Sequence, residues 1–348
     1  MQEQDDQIHI VYASDDRFAP IMGVSLAAVF MNLKDTDPID ITVFDGGISA
    51  ESRQKTDEIC LQYGRPNPQY WGTGYMKELL GDHIKTDRGS IMQYARLFVG
   101  RLPYKRALYL DCDVMMRASV KELWSMELGE MTAAAVPDVF SIAYRKGMEL
   151  NPRDTIFNDG VMLIDLERWR KSKVEEKALA FIRRHNGNPL KNDLGVVNGV
   201  LSREILALDP EWNSMTVFYD YSYKDMLLYR KPYGYYSQEI VERAAQNPKA
   251  VHFTSSFCSN RPWEYGCRHP FRNEFLEVRE RTPWVGEPLA TPQKSLPNRL
   301  INCLPKRIQI RLAACLQAYV RPFYHVFMER VKGLGEKDSS CFRHYTCL

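Results

Sequence analysis

Two aspartates separated by one residue, Asp111 and Asp113, follow directly on a strand-like run in "RALYLDCDVMM", residues 106–116. Two carboxylates at one strand end repel each other unless a cation or a hydrogen-bond donor stands between them. They could cap a following turn or helix by accepting backbone N–H groups. They could equally hold a hard divalent cation such as Mg²⁺ or Mn²⁺, which in turn bridges the phosphate oxygens of a nucleotide. The pair alone leaves both readings open. Ser14-Asp15-Asp16 and Pro137-Asp138 are further acidic ends of strand-like runs. No GxxxxGK[ST] loop occurs, which excludes a P-loop enzyme, and the absence of GxGxxG weakens a dinucleotide-binding reading.

The elements that must position these residues alternate along the first half. "IHIVYAS" (8–14) is a β-branched run, and "FAPIMGVSLAAVFMNL" (18–33) has apolar residues at helical spacing. "IDITVFDGG" (39–47) alternates and stops at glycines, and the segment after it opens on a serine cap at Ser49 and closes on Gly64. Further strands are expected at "RALYLDCDV", "MTAAAVPD" and "GVMLIDL". This order predicts an α/β fold, a mostly parallel central sheet with helices on both faces. Ligands of such sheets bind at the carboxyl ends of the strands, where the acidic residues fall.

The chain has 348 residues, 45% hydrophobic and 26% charged, an ordinary globular composition that excludes disorder and collagen-like fibres. Eight cysteines without CxxC pairs suggest neither a zinc ribbon nor a disulfide framework. The polar opening "QEQDDQ" has no leader-like apolar region, so a reducing, cytoplasmic setting is expected. No apolar run reaches the ~20 residues of a membrane span. The net charge of +2 hides an asymmetry: residues 294–333 carry eight basic residues against one acid, +7, leaving −5 for the rest.

Five ordered stretches carry a resemblance: "IVYASDDRFAP" (10–20), "QYARLFVGRLPYKRALYLDCDVMM" (93–116), "FNDGVMLIDLERWRK" (157–171), "NDLGVVNGVL" (192–201) and "AVHFTSSFCSNRPWEYGCRHPF" (250–271). Together they resemble glycosyltransferase family 8, which includes retaining bacterial lipopolysaccharide and capsule galactosyl- and glucosyltransferases. The resemblance implies a GT-A-like fold. It implies that Asp111, Asp113 and His252 bind a metal, usually Mn²⁺, with Mg²⁺ the alternative, since an imidazole beside two carboxylates favours Mn²⁺. It implies a UDP-sugar donor held by Ala13, Asp15, Arg96, Asp111, Cys112, Asp138, Asn158, Asp159, Asp193 and Arg261. Ala13 and Asp15 match the uracil and ribose positions, and Arg261 a basic residue on the diphosphate. Asp193, Asp138 and Arg96 form the expected catalytic set.

Two positions depart from the family pattern. Asp159 stands where relatives commonly have a small residue, so it could add a contact to the sugar or acceptor. Leu194 stands where they commonly carry glutamine, and leucine can neither attack nor stabilise an anomeric carbon. A double displacement through that side chain is therefore excluded. Same-face attack, with the leaving phosphate accepting the acceptor's proton, is expected.

The basic segment has apolar residues at Ile308, Leu312, Leu316, Val320, Phe323, Phe327 and Val331, one helical stripe with an expected kink at Pro322. Such a helix either packs on the catalytic domain or lies on an anionic membrane surface. The expected organisation is a catalytic domain over 1–282, a linker over 283–297 and a basic amphipathic tail over 298–348. The expected acceptor is a saccharide or lipid-linked saccharide of the cell envelope, at the inner face of the membrane, with no nucleic-acid partner. A UDP-sugar hydrolase, a self-glucosylating enzyme of the glycogenin type and a catalytically silent UDP-binding partner are the alternatives.

Overall fold

The computed structural model describes residues 7–86, 89–255, 259–292 and 304–327. Among the described residues there are ten strands: β1 (Ile8–Ser14), β2 (Ile39–Asp45), β3 (Gln69–Gly72), β4 (Arg106–Leu110), β5 (Val114–Met116), β6 (Ala133–Pro137), β7 (Phe157–Asp165), β8 (Ile205–Ala207), β9 (Ser214–Met215) and β10 (Ala250–His252). Seven form the central sheet, in the order β3-β2-β1-β4-β7-β6-β8, and β5-β10-β9 form a small second sheet. All neighbours in the central sheet are parallel except at β7, which runs antiparallel to β4 and β6. The expected mostly parallel sheet with helices around it is therefore present.

Strand alternation divides the core. Ile8, Ile10 and Tyr12 of β1 and Leu108 and Leu110 of β4 face one apolar cluster. Val11, Ala107 and Tyr109 face the other. Helix α1 (Ala19–Met31) is almost wholly buried in the first, which explains its apolar residues on every side. Helix α2 (Ala50–Gln62) begins where the Ser49 hydroxyl accepts from the Ser52 N–H at 3.2 Å. It gives way to Gly64, whose φ of +63° suits glycine.

Two irregularities aim residues at the sheet's carboxyl edge. The run expected as one strand, "RALYLDCDV", is split: β4 ends at Leu110 in the large sheet and β5 starts at Val114 in the small one. The register of β6 on β7 jumps from Ala135↔Met162 to Val136↔Asn158, so Asp159-Gly160-Val161 bulge out of that pairing.

The segment expected as a linker has a core residue at its second position, since Trp284 is buried in the first cluster. Residues 293–303 lie outside the described residues, as does Val331 of the apolar stripe. The tail helix, α4 (Lys306–Cys315), packs on α3 (Tyr223–Arg230), with Ile310 and Ala313 joining the cluster of Val139, Met226 and Tyr229. One widened π-turn follows over Leu316–Val320, and helix continues through Pro322 to residue 327. The tail therefore uses its small-residue face for packing, while Ile308, Leu312, Val320, Phe323 and Phe327 of the stripe stay exposed. No described helix is long and apolar enough to cross a membrane.

Candidate active site

Asp111, Cys112 and Asp113 are the crossing between the two sheets. The Asp111 N–H donates to the Gly160 carbonyl at 2.8 Å, and the Phe253 N–H to the Asp113 carbonyl at 2.9 Å. Because β10 pairs antiparallel with β5, His252 stands opposite Val114 and beside Asp113. Its Nε2 is 3.1 Å from Asp113 Oδ1 and 3.8 Å from Asp111 Oδ2. One ligand atom from each of Asp111, Asp113 and His252 lies within 4.8 Å of the others.

A buried amide chain fixes which imidazole nitrogen faces the carboxylates. Asp138 Oδ2 accepts from Asn158 Nδ2 at 2.8 Å, so Asn158 Oδ1 must point the other way, where it accepts from Asn213 Nδ2 at 2.8 Å. Asn213 Oδ1 is thereby left to accept, and His252 Nδ1 donates to it at 2.9 Å. Nε2 is the nitrogen aimed at the aspartates. Gly160 closes the floor: a Cβ there would come 2.2 Å from His252 Cε1 and 3.0 Å from Asp111 Oδ2. Two hard carboxylates, one oriented imidazole and a floor that excludes any side chain fit a divalent cation.

Three cationic groups surround the acids. Arg261 Nη1 pairs with Asp113 Oδ2. Burial favours the neutral form of Asp113, but the charges of His252 and Arg261 outweigh it and hold the carboxyl well below its usual range. For His252, burial opposes protonation and Asp113 more than offsets it, so its pKa lies above the ordinary value.

Arg96 sits in a 3₁₀ helix (Ile91–Arg101) with its side chain 4% exposed. It pairs with Asp111 Oδ1 at 2.5 Å, reaches Asp159 Oδ1 at 3.3 Å and lies 3.1 Å from Asp193 Oδ2. Its guanidinium also lies over the Tyr109 ring, 4.6 Å from the centroid. Burial opposes its charge, but Asp111, Asp159, Tyr109 and Asp193 together raise its pKa well above normal.

Asp193 reaches this position because Lys191 and Asn192 are both left-handed, at φ +67° and +53°, and turn the chain sharply into the helix Asn192–Leu201. Burial pushes the Asp159 carboxyl up to about 6 and that of Asp193 well above its ordinary value, against the pull of Arg96.

A cavity of about 400 Å³ gathers Ala13, Asp15, Arg96, Asp111, Cys112, Asp113, Asn158, Asp159, Asp193, Leu194, His252 and Arg261. Asp138 is not on its wall. It lines a neighbouring cavity and meets the first through Asn158. Asp15 also accepts the Phe18 N–H at 3.2 Å at the entry to α1, and the Cys112 thiol donates to the Ala13 carbonyl at 3.2 Å. Asn213, Gly160 and Tyr109 belong to the site but escaped the sequence reading. Asn213 lies in "EWN", which has no motif, while Gly160 could have been singled out as the glycine after Asn158-Asp159 in "FNDG".

Known proteins share both the sequence and the shape. General stress protein A of Bacillus subtilis (strain 168) is 27% identical over 293 residues, 82% of this chain and 98% of its own. A lipopolysaccharide 1,2-glucosyltransferase of Escherichia coli (strain K12) is 28% identical over 301 residues, 80% of this chain and 79% of that one. The galactosyltransferase LgtC, solved in complex with donor and acceptor sugar analogs, superposes with a TM-score of 0.65 at 23% identity, covering 80% of this chain and 98% of its own. That likeness places the fold as GT-A-like. The family described as "Glycosyl transferase family 8" matches residues 9–267, which span every stretch that builds the cavity. The chain thus belongs to glycosyltransferase family 8, and the protein is a glycosyltransferase.

Proposed function

We propose that this enzyme is a metal-dependent, retaining hexosyltransferase that moves galactose or glucose from a UDP-sugar to a saccharide or lipid-linked saccharide of the cell envelope. The observation that carries this reading is the meeting of the Asp111, Asp113 and His252 donor set with Arg96 and Arg261 in one cavity. Asp111, Asp113 and His252 would hold Mn²⁺, or Mg²⁺ as the alternative, supplying positive charge to the departing diphosphate. Arg261 opposes the same charge from the protein side. Arg96 is committed to Asp111, Asp159 and Asp193, and its part is to hold three acids in one site. Ala13, Asp15 and Cys112 take the nucleoside end, and Asn158, Asp159 and Asp193 face the sugar.

The side chains favour same-face attack. Leu194 lines the cavity and has no lone pair to offer. Asp193, the remaining candidate nucleophile, is held towards its neutral form by burial and so is a poor one. The acceptor oxygen then bonds the anomeric carbon as the bond to phosphate breaks, and its proton passes to the leaving phosphate oxygen. Residues 1–282 would form the catalytic domain. Residues 298–348 would lay an exposed apolar stripe with basic neighbours on the anionic inner face of the membrane. The complete donor set speaks against a catalytically silent partner.

Calorimetry of UDP with Mn²⁺, Mg²⁺ or chelator, on the wild type, Asp113→Asn and His252→Ala, tests the reading. Expected are metal-dependent UDP binding lost in Asp113→Asn, and Mn²⁺ weakened more than Mg²⁺ in His252→Ala. UDP release should rise on adding an oligosaccharide acceptor. Full turnover in chelator would sink the proposal.

A further inference from the structure

Next to the first cavity lies a second, of about 320 Å³, whose wall includes Asp138, Phe140, Arg145, Tyr233, Tyr235 and Tyr236. Its chemistry is unlike that of the donor site. Arg145 is only 6% exposed; its Nε donates to the Asp154 carbonyl at 2.7 Å, while its buried Nη1 has no acceptor among the described residues. Such a group is costly without a partner. Asp138 spends one carboxylate oxygen on Asn158, and no described residue bonds the other. Tyr235 and Tyr236 donate their hydroxyls to the Pro137 and Leu208 carbonyls, so they present ring surface to the cavity. Tyr233 is 50% exposed at the rim. Aromatic surface with one carboxylate and one guanidinium complements a pyranose, which has an apolar C–H face and a rim of hydroxyls that both donate and accept.

The tail helix holds both lips of this cavity. Ser141, just beyond Asp138 and Phe140, bridges to Pro232, the neighbour of Tyr233. The Ser141 hydroxyl donates to the Ala318 carbonyl at 3.0 Å. Pro322, four residues on, has no N–H to offer that carbonyl. On the other lip, Lys231 Nζ donates to the Tyr319 hydroxyl at 2.8 Å. The cavity is one layer from the reaction: Asp138 touches Asn158 of the donor site, and Leu194 packs in the same cluster as Phe140 and Ile156.

We propose that the second cavity is a saccharide subsite for an acceptor unit beyond the reacting sugar, and that the tail helix is its buttress. The inference rests on the glycosyltransfer reading and adds where the acceptor is recognised. It also gives the tail a part in acceptor affinity independent of any membrane.

The test uses the full chain with lactose, maltotriose and a lipopolysaccharide core oligosaccharide as probes, read by saturation-transfer NMR and by KM. Tyr233→Ala, at an exposed position, should weaken the best-bound oligosaccharide about tenfold while leaving UDP affinity and donor hydrolysis within twofold. Ser141→Ala, which removes the bond to Ala318 together with the local bond from the Ala143 N–H to the same oxygen, should move the same quantity in the same direction. Unchanged saccharide affinity in Tyr233→Ala, no binding of any probe to the wild type, or an equal loss of UDP affinity would overturn the proposal. Failure of the donor reading would show separately, as no hydrolysis of a UDP-sugar by the wild type while saccharide binding remains measurable.

Discussion

His252 donates from Nδ1 to Asn213 Oδ1 at 2.9 Å, and this one bond decides that Nε2 faces Asp111 and Asp113. Its direction is inherited from Asp138, which can only accept and so orients Asn158 and then Asn213. Removing Asn213 frees the ring to turn. Asn213→Ala should weaken Mn²⁺ binding by roughly 10–100-fold, the usual effect of losing a partner behind a metal ligand. A titration of Mn²⁺ in the presence of UDP checks this, with circular dichroism to show that the fold is kept. Unchanged Mn²⁺ affinity would mean that the ring is held by packing alone.

Leu194 is half-buried against Phe140, Tyr144, Met148, Ile156 and Leu190. Leu194→Ala should lower stability by about 1–2 kcal/mol, below the range for a fully enclosed leucine, and lower kcat only several-fold. Mass spectrometry during turnover should find no glycosyl adduct on the enzyme. An adduct on any residue, or a kcat loss of several orders of magnitude at unchanged stability, would refute the same-face route.

Phe323, Tyr324 and Phe327 are 67%, 64% and 62% exposed on the outer side of the tail helix. Replacing all three with serine spares the inner face, where Ile310, Ala313 and Ala318 pack. Association with vesicles containing anionic phospholipid should fall at least tenfold, and binding by the wild type should weaken as salt rises. Co-sedimentation measures both. Equal binding to neutral vesicles would remove the electrostatic part of the reading.

His269 is 4% exposed, ringed by Tyr219, Phe253 and Phe271, and burial lowers its pKa from 6.5 to about 4. Between these values the unfolded chain binds a proton that the folded chain refuses, so stability rises with pH through that window and is lost as pH falls. At pH 5 this one residue should cost about 2 kcal/mol relative to pH 7.5. Denaturant midpoints of the wild type and His269→Gln, compared at both pH values, should show a smaller pH effect in the variant. Parallel curves would place the acid sensitivity elsewhere.

Asp111 and Asp113 at a strand end, the alternation of β1 and β4, the Ser49 cap and the five ordered stretches were all legible in the sequence. Each is a local pattern, set by residue types a few positions apart. The approach of His252 to Asp113 was not local, since it depends on the antiparallel pairing of β10 with β5 across more than a hundred residues. Asn213 could not be read either, because an amide that orients an imidazole needs only position, not a motif. Asp138 was expected at the donor, and the register jump on β7 helps put Asn158 between them. In the tail, periodicity identified which residues share a face, but not which face is covered. Tertiary structure decided that by contact: the narrow side bearing Ala313 and Ala318 lets two helices approach closely, and the bulky stripe is left outside. Sequence spacing fixes what a segment can offer, while burial of one offer over another is settled only by the surface that meets it.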